Sequence, residues 1–366
     1  MKNSGSNADK NKTFEPIDKA ITGTSSSRSF RVYLISLFLG VSGALIAFYT
    51  GLFALLATGS LPPPAFTNSL CIDEKLSFMR DNEVAPPNLL VMGSSVAWRH
   101  FDGAAIETSF PDIKPLNGGF CGLHINQSAY AADWLLEHHP SVQRVLLIAA
   151  PQDFAGCQKK PEAIFDLDDV TQYVYQEASP WPYYLRYFAP ASVVNNARNI
   201  KARRANEIEL DPLVFDRFAS GPMDTEKTRS TLLYGTPDPL DPACFEALET
   251  LAARFQAQGR QLTVVSTPLH PEWKAKEDPD GSFRNEFNQR IIEALEDTHA
   301  TYWDADSEWT TEPSSFTDAI HLRWSAVQEF TNAVVQHLDE VKGAATSDDH
   351  ATADLAVAHQ KRPSAK

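Results

Sequence analysis

Five apolar-rich runs recur along the chain: Leu89–Met92, Ile113–Leu116, Val142–Ala149, Gln261–Ser266 and Ala300–Trp303. Runs of this length, bounded by turn residues, read as strands buried on both faces of a sheet. Between them lie longer stretches with helical spacing of apolar residues. These cover Asn126–His138, Pro242–Gln258, Phe283–Leu295 and Trp324–Leu338. Asn126 is the expected N-cap of the first, Pro140 lies just beyond its end, and Gly259 closes the second. Strand and helix patterns that alternate predict an α/β fold around a parallel sheet.

One run is of another kind. From Val32 to Leu61 no residue is charged and most are apolar. About 20 apolar residues cross a bilayer, so this run predicts a transmembrane helix with some tilt. It is too long for a signal-peptide core. Lys2, Lys10, Lys12, Lys19, Arg28 and Arg31 precede it, and the first cation after it is Lys75. That asymmetry predicts a cytoplasmic N-terminus and an extracytoplasmic C-terminal part in the cell membrane.

The organisation follows. Residues 1–31 read as a disordered cytoplasmic tail, 32–61 as the span, 62–85 as a linker begun by Pro62-Pro63-Pro64, 86–342 as the folded domain and 343–366 as a second disordered tail. Within the domain, 157–241 interrupts the alternation and reads as a cap at the ligand-binding edge. It is rich in aromatic residues, which either stack on sugar rings or form the cap's own core, and a basic run, Arg198 to Arg204, follows them.

Composition narrows the function. The chain of 366 residues carries a net charge of −15, which excludes nucleic acid as an expected partner. With the six N-terminal cations and Asp9, Glu15 and Asp18 set aside, 26 basic and 44 acidic residues remain, a net of −18. That balance argues against the domain lying flat on anionic lipid. Cys71, Cys121, Cys157 and Cys244 all follow the span, in an expected oxidising space, where two disulfides with three possible pairings or free thiols are open. A bridge between Cys121 and Cys157 would brace two loops of the site described next. Their spacing matches no zinc pattern, and neither metal nor organic cofactor is expected.

The candidate chemistry sits where the strands end. Leu89–Met92 runs into Gly93-Ser94-Ser95, and open α/β sheets bind ligands at the carboxyl ends of their strands. A nucleophilic serine needs a base, and the base needs an acceptor that fixes its tautomer. Asp318-Ala319-Ile320-His321, just before the last helix, supplies both from one loop.

The order of these segments resembles the SGNH (GDSL-like) hydrolases: strand–Gly-Ser-Ser, strand–Asn117-Gly118-Gly119-Phe120-Cys121-Gly122, strand–Pro151-Gln152-Asp153, and D-x-x-H. The resemblance covers roughly residues 86–340. It implies a flavodoxin-like three-layer α/β/α fold with Ser95 as nucleophile and Asp318 and His321 completing a triad. It also implies an oxyanion hole from the backbones of Ser95 and Gly122, with Gly119 as the alternative to Gly122. The family usually has Gly-x-Asn-Asp in the third block. Here Gln152 stands for that Asn, with the same amide donor on a longer arm. The Pro-Gln pair, the Gly-Ser-Ser and the N-terminal anchor are similar to the DltD-type branch and related envelope polysaccharide O-acetylation proteins.

The expected function is thus a membrane-anchored extracytoplasmic serine esterase or O-acyltransferase acting on acyl groups of a cell-envelope polysaccharide. The alternative, motivated by Gln152, is a catalytically weak or inactive accessory protein of the same fold that binds envelope glycan or docks on a membrane-bound O-acyltransferase. His124, close to Gly122, and His270, after the fourth strand, are the expected substrate contacts.

Overall fold

The computed structural model describes residues 26–67, 69–82, 85–208 and 210–338. Two units emerge, Met1–Thr58 and Gly59–Lys366. In the first, Ser26–Ala57 is one helix, which starts inside the stretch expected to be a tail. Its portion Ser29–Ala57 is long and apolar enough to cross a membrane. It stops short of the expected Leu61, because Gly59 takes a left-handed φ of +70° and three prolines follow. The expected tails, 343–366 and most of 1–31, lie outside the described residues.

The second unit is built on five parallel strands: β1 (Leu89–Gly93), β2 (Pro115–Asn117), β3 (Arg144–Ala149), β4 (Gln261–Ser266) and β5 (Thr301–Trp303). Their order is β2-β1-β3-β4-β5, the flavodoxin-like doubly wound arrangement. All five predicted strands are present, although β2 and β3 begin later than their apolar runs. Of the first residues of the predicted β3, Val142 closes the turn out of the preceding helix by donating to the His139 carbonyl, and Gln143 donates to the Asn88 carbonyl at 3.2 Å.

Successive strand residues feed opposite layers. Leu90, Met92, Val145, Leu147 and Val264 face one core with the helices Ile125–His138, Pro242–Ala257 and Ser282–Leu295. Leu89, Val91, Leu146, Ile148 and Val265 face the other, where Val327, Phe330 and Val334 of the helix over 324–338 pack. Both faces being buried explains why the strands read as continuous apolar runs.

Two expectations need correction. The stretch given to a linker contains the helix Leu70–Asp81, whose Ile72, Leu76 and Met79 are buried in the first core. Asp73, Glu74 and Lys75 interrupt its apolar spacing, which hid it, yet all three are buried too. Asn126 is not an N-cap. The helix begins at Ile125 after His124, and the Asn126 amide donates to the carbonyls of Cys157 (3.0 Å) and Lys159 (2.9 Å).

The interruption at 157–241 folds as the helices Leu167–Tyr175, Trp181–Arg186 and Pro190–Arg204, then an extended strap. Most of its aromatic residues form a core: Tyr173, Tyr183 and Tyr187 surround Phe66 at ring distances of 4.8–5.1 Å. The sugar-stacking role therefore does not hold for them. The strap crosses the first block, where Arg99 donates to the carbonyls of Gly221 (2.9 Å) and Pro212 (2.8 Å). The disulfides pair Cys71 with Cys121 and Cys157 with Cys244, not Cys121 with Cys157.

Candidate active site

Parallel register sets the ends of β1, β3 and β4 level: Gly93 lies opposite Ile148, and Ala149 opposite Ser266. The loops that leave these ends therefore converge. The chain turns one way from β1 to β2 and the other way to β3, which opens a crevice at the carboxyl edge.

Gly93 makes the first turn possible. Its φ is +136°, and a Cβ there would lie 2.3 Å from the Ile148 carbonyl oxygen. Ser94 caps the short helix Ser95–Arg99, its Oγ accepting the Val96 N–H at 3.4 Å, and is buried. Ser95, the first residue of that helix, is only half-buried. Of the two serines, Ser95 is thus the one free to face a ligand.

His321 Nε2 lies 2.9 Å from Ser95 Oγ. On the other side of the ring, Nδ1 lies 2.9 Å from Asp318 Oδ2 and 3.0 Å from Oδ1. A carboxylate only accepts, so Nδ1 carries the proton and Nε2 is left to accept from Ser95. Asp318 Oδ1 also accepts the backbone N–H groups of Ile320 (3.0 Å) and His321 (2.9 Å). Burial alone would raise this carboxyl, but the His321 imidazole and those bonds outweigh it and hold the pKa at about 2. Ser95 and His321, 226 positions apart in the chain, thus meet in one line with Asp318.

The loop is held from several sides. The Ala319 carbonyl accepts the His270 N–H at 2.9 Å, and the Thr317 carbonyl accepts the Arg229 N–H from the strap at 2.7 Å. His100, which sequence reasoning missed, is wholly buried. Its Nδ1 lies 2.7 Å from Thr267 Oγ1, and its Nε2 accepts the Leu322 N–H at 2.8 Å. The only cue to it in the sequence is a histidine five residues after Ser95.

The expected oxyanion donors are arranged as follows. The N–H of Gly119 is taken by Asn117 Oδ1 at 2.9 Å, which removes Gly119 as the alternative. Gly122 has φ +72° with open space where a Cβ would stand. The Gln152 side chain is the informative case: both its amide atoms are buried and neither has a hydrogen-bond partner among the described residues. An orphaned buried amide costs on the order of 1–3 kcal/mol, so it calls for a bonding partner from outside the chain. Asp153 next to it accepts the Ala150 N–H at 2.9 Å and is pushed up to about 7, chiefly by burial.

Of the two expected substrate contacts, one stands close to the site. His124 Nδ1 is buried without a hydrogen-bond partner among the described residues, and the pKa of the ring is lowered, first by burial and then by Lys159. His270 is buried. Its Nδ1 accepts the Glu272 N–H at 3.0 Å as a helix cap. His270 thus caps the helix that follows it and, through its backbone N–H, holds the D-x-x-H loop at Ala319.

Two further groups border the site. Lys75 is fully buried, and its Nζ donates to the Gly119 carbonyl (2.5 Å) and to Asn117 Oδ1 (3.3 Å). With the Cys71–Cys121 disulfide, this ties the helix Leu70–Asp81 to the loop that carries Gly122. Tyr234, on the strap, is 46% exposed and has a φ of +79°, a strained value for a residue other than glycine. Partial burial, then the charge of Asp318, push its hydroxyl up to about 12. Among the described residues no cluster of histidine, cysteine or acidic side chains is suited to a metal ion.

No protein-family model matches the chain, and no curated protein matches it. The solved structures similar to it include two hydrolases. One is LAE5, an α/β hydrolase enzyme from the metagenome of Lake Arreo, Spain, at 12% identity and a TM-score of 0.36, covering 69% of this chain and 95% of that one. The other is a carbohydrate acetylesterase family member from Sinorhizobium meliloti, at 12% identity and a TM-score of 0.34, covering 70% of this chain and 98% of that one. Likenesses this distant say nothing of the chemistry, which rests on the site's own geometry.

Proposed function

We propose that this chain is a serine ester hydrolase or O-acyltransferase of the SGNH type, anchored in the cell membrane by its N-terminal helix. The observation that carries the reading is the line Ser95 Oγ–His321–Asp318, with 2.9 Å on either side of the imidazole. In this reading His321 Nε2 takes the Ser95 proton as Oγ attacks an ester carbonyl. The carbonyl electron pair moves to oxygen, where the N–H groups of Ser95 and Gly122 and the Gln152 amide receive it. Asp318 stabilises the imidazolium that forms. Collapse of the intermediate expels the alkoxide, which takes the proton from His321 and leaves an acyl group on Ser95. Water or a sugar hydroxyl, deprotonated in turn by His321, then releases the acyl group.

The substrate class we assign is an O-acylated polysaccharide of the cell envelope, with the domain outside the cytoplasm. Pairing of all four cysteines supports an oxidising compartment. The test is turnover of p-nitrophenyl acetate and release of acetate from an O-acetylated glycan by the full chain. Both activities are expected to vanish in Ser95→Ala. Undiminished turnover in that variant would place the nucleophile elsewhere. A wild-type chain that binds the glycan and turns over neither ester would favour an accessory role.

A further inference from the structure

One segment runs against the charge of the whole molecule. Residues 178–206 contain five cations (Arg186, Arg198, Lys201, Arg203 and Arg204) and no acidic residue, in a chain whose acids outnumber its cations 47 to 32. The same segment holds Trp181, Tyr183, Tyr184, Tyr187 and Phe188. It forms the helices Trp181–Arg186 and Pro190–Arg204.

Its apolar exposure is concentrated too. Beyond the N-terminal helix, the large apolar side chains left exposed among the described residues are Leu185 (50%), Phe188 (49%), Val194 (53%), Tyr234 and Ile292. Three of these five fall within ten residues of one another. A soluble surface scatters such side chains singly, whereas a cluster among cations and aromatic residues marks a surface that meets something.

Some of the cations are already engaged: Arg186 with Asp169 at 2.6 Å, Arg204 with Glu74 at 2.5 Å, and Arg203 with the Asp211 carbonyl at 2.7 Å. Arg198 and Lys201 are exposed and sit on the same helix as Val194, at spacings of four and seven residues that share a face. Neither side chain has a hydrogen-bond or ion-pair partner among the described residues.

The chain itself says what this surface meets. The Tyr184 hydroxyl donates to the Pro62 carbonyl at 2.7 Å. Pro62 lies five residues after Ala57, the last residue of the apolar helix. Five residues of fully extended chain cover at most about 18 Å, so only a short tether joins Pro62 to the last residue of that helix. Exposed apolar side chains such as Leu185, Phe188 and Val194 beside Arg198 and Lys201 are the composition of a membrane–water interface.

We propose that residues 178–206 are a second membrane-contact surface. Leu185, Phe188 and Val194 enter the interfacial layer, and Arg198 and Lys201 take the phosphates of anionic lipid headgroups. The overall net of −18 beyond the span, which argues against lipid contact, averages over this local patch and conceals it. The proposal rests on the membrane-spanning reading of the N-terminal helix and is independent of the catalytic one.

The test uses the full chain in nanodiscs of phosphatidylcholine alone or mixed equally with phosphatidylglycerol. Leu185→Cys and Val194→Cys carry an environment-sensitive fluorophore, with Glu249→Cys on the exposed face of the helix Pro242–Ala257 as the reference; the native cysteines are paired. Doxyl-labelled lipid is expected to quench both patch probes at least severalfold more than the reference, and more strongly with phosphatidylglycerol present. Adding Arg198→Glu and Lys201→Glu is expected to return the quenching to the reference level. Patch probes no more quenched than the reference would overturn the proposal, as would a chain that fails to insert. Quenching indifferent to phosphatidylglycerol and to the charge reversals would overturn the headgroup assignment. None of these results touches the Ser95 reading, because the probes report position and not turnover.

Discussion

The buried His100 accepts the backbone N–H of Leu322 at 2.8 Å, one residue beyond the candidate base His321. Its other nitrogen is bound to Thr267, just past β4. One imidazole therefore links the block that carries Ser95 to the loop that carries Asp318 and His321. Burial, then His321 itself, keep its pKa well below the ordinary histidine value, so it is neutral and can accept. His100→Ala removes the acceptor and leaves a cavity. We expect kcat for p-nitrophenyl acetate to fall by on the order of 10²-fold, the cost of a small misplacement of a reacting group. KM should change little. An unchanged kcat in a folded variant would show that the loop holds its own shape.

Gln152 is expected to act on the transition state. Gln152→Leu keeps the volume and removes the donor, so kcat should drop by about 10²–10³-fold with little change in KM. Because the buried amide has no partner among the described residues, the melting temperature of this variant should be equal or higher. A variant that loses stability and keeps its kcat would assign Gln152 to packing.

Lys75 offers a test of how the oxyanion loop is placed. Its amino group is buried with no ion pair among the described residues, and burial lowers its pKa well below the usual lysine value. Replacing a buried ionisable group with an apolar side chain of similar shape is often neutral or stabilising. Lys75→Met should therefore retain its melting temperature and lose roughly tenfold in kcat as the Gly119–Gly122 loop loosens. Lys75→Arg, which keeps the donors but not the volume, should not restore it. A full wild-type rate in Lys75→Met would limit Lys75 to a structural part.

Asp153 gives the pH dependence a sign. Its folded pKa, about 7, lies above the unfolded value near 3.8, so the folded state holds its proton more tightly. That contribution is fully present below the unfolded pKa and is lost as pH rises through about 7. The full chain in detergent should melt at a lower temperature at about pH 8 than at about pH 5. In Asp153→Asn, which mimics the protonated carboxyl, that difference should shrink. A difference that stays the same would mean Asp153 is already ionised in the folded state.

Much of this was legible in the sequence, for physical reasons. Strands buried on both faces leave an uninterrupted apolar signal, so all five could be found, and glycine at the end of β1 marked the turn. The candidate triad was legible because Asp318 and His321 come from one short loop and Ser95 from one tight turn. What stayed hidden depends on contacts between distant parts. The helix Leu70–Asp81 hid behind three consecutive charged residues whose partners lie far along the chain, such as Arg204 for Glu74 and Asn117 for Lys75. His270 read as a ligand contact because its capping of the next helix has no signature beyond the proline that follows. The cysteine pairing follows from where that hidden helix sits. His100 acts through the last loop, whose approach no local pattern encodes.

Covalent labelling tests the nucleophile most directly. A fluorophosphonate should react with the full chain, and mass spectrometry of the digested protein should find the adduct on Ser95. The adduct should be absent in Ser95→Ala, and its rate of formation should fall by several orders of magnitude in His321→Ala, which removes the base. An adduct on Ser94 or another residue, or a folded wild-type chain that never labels while a known serine esterase in the same tube does, would contradict Ser95 as the nucleophile.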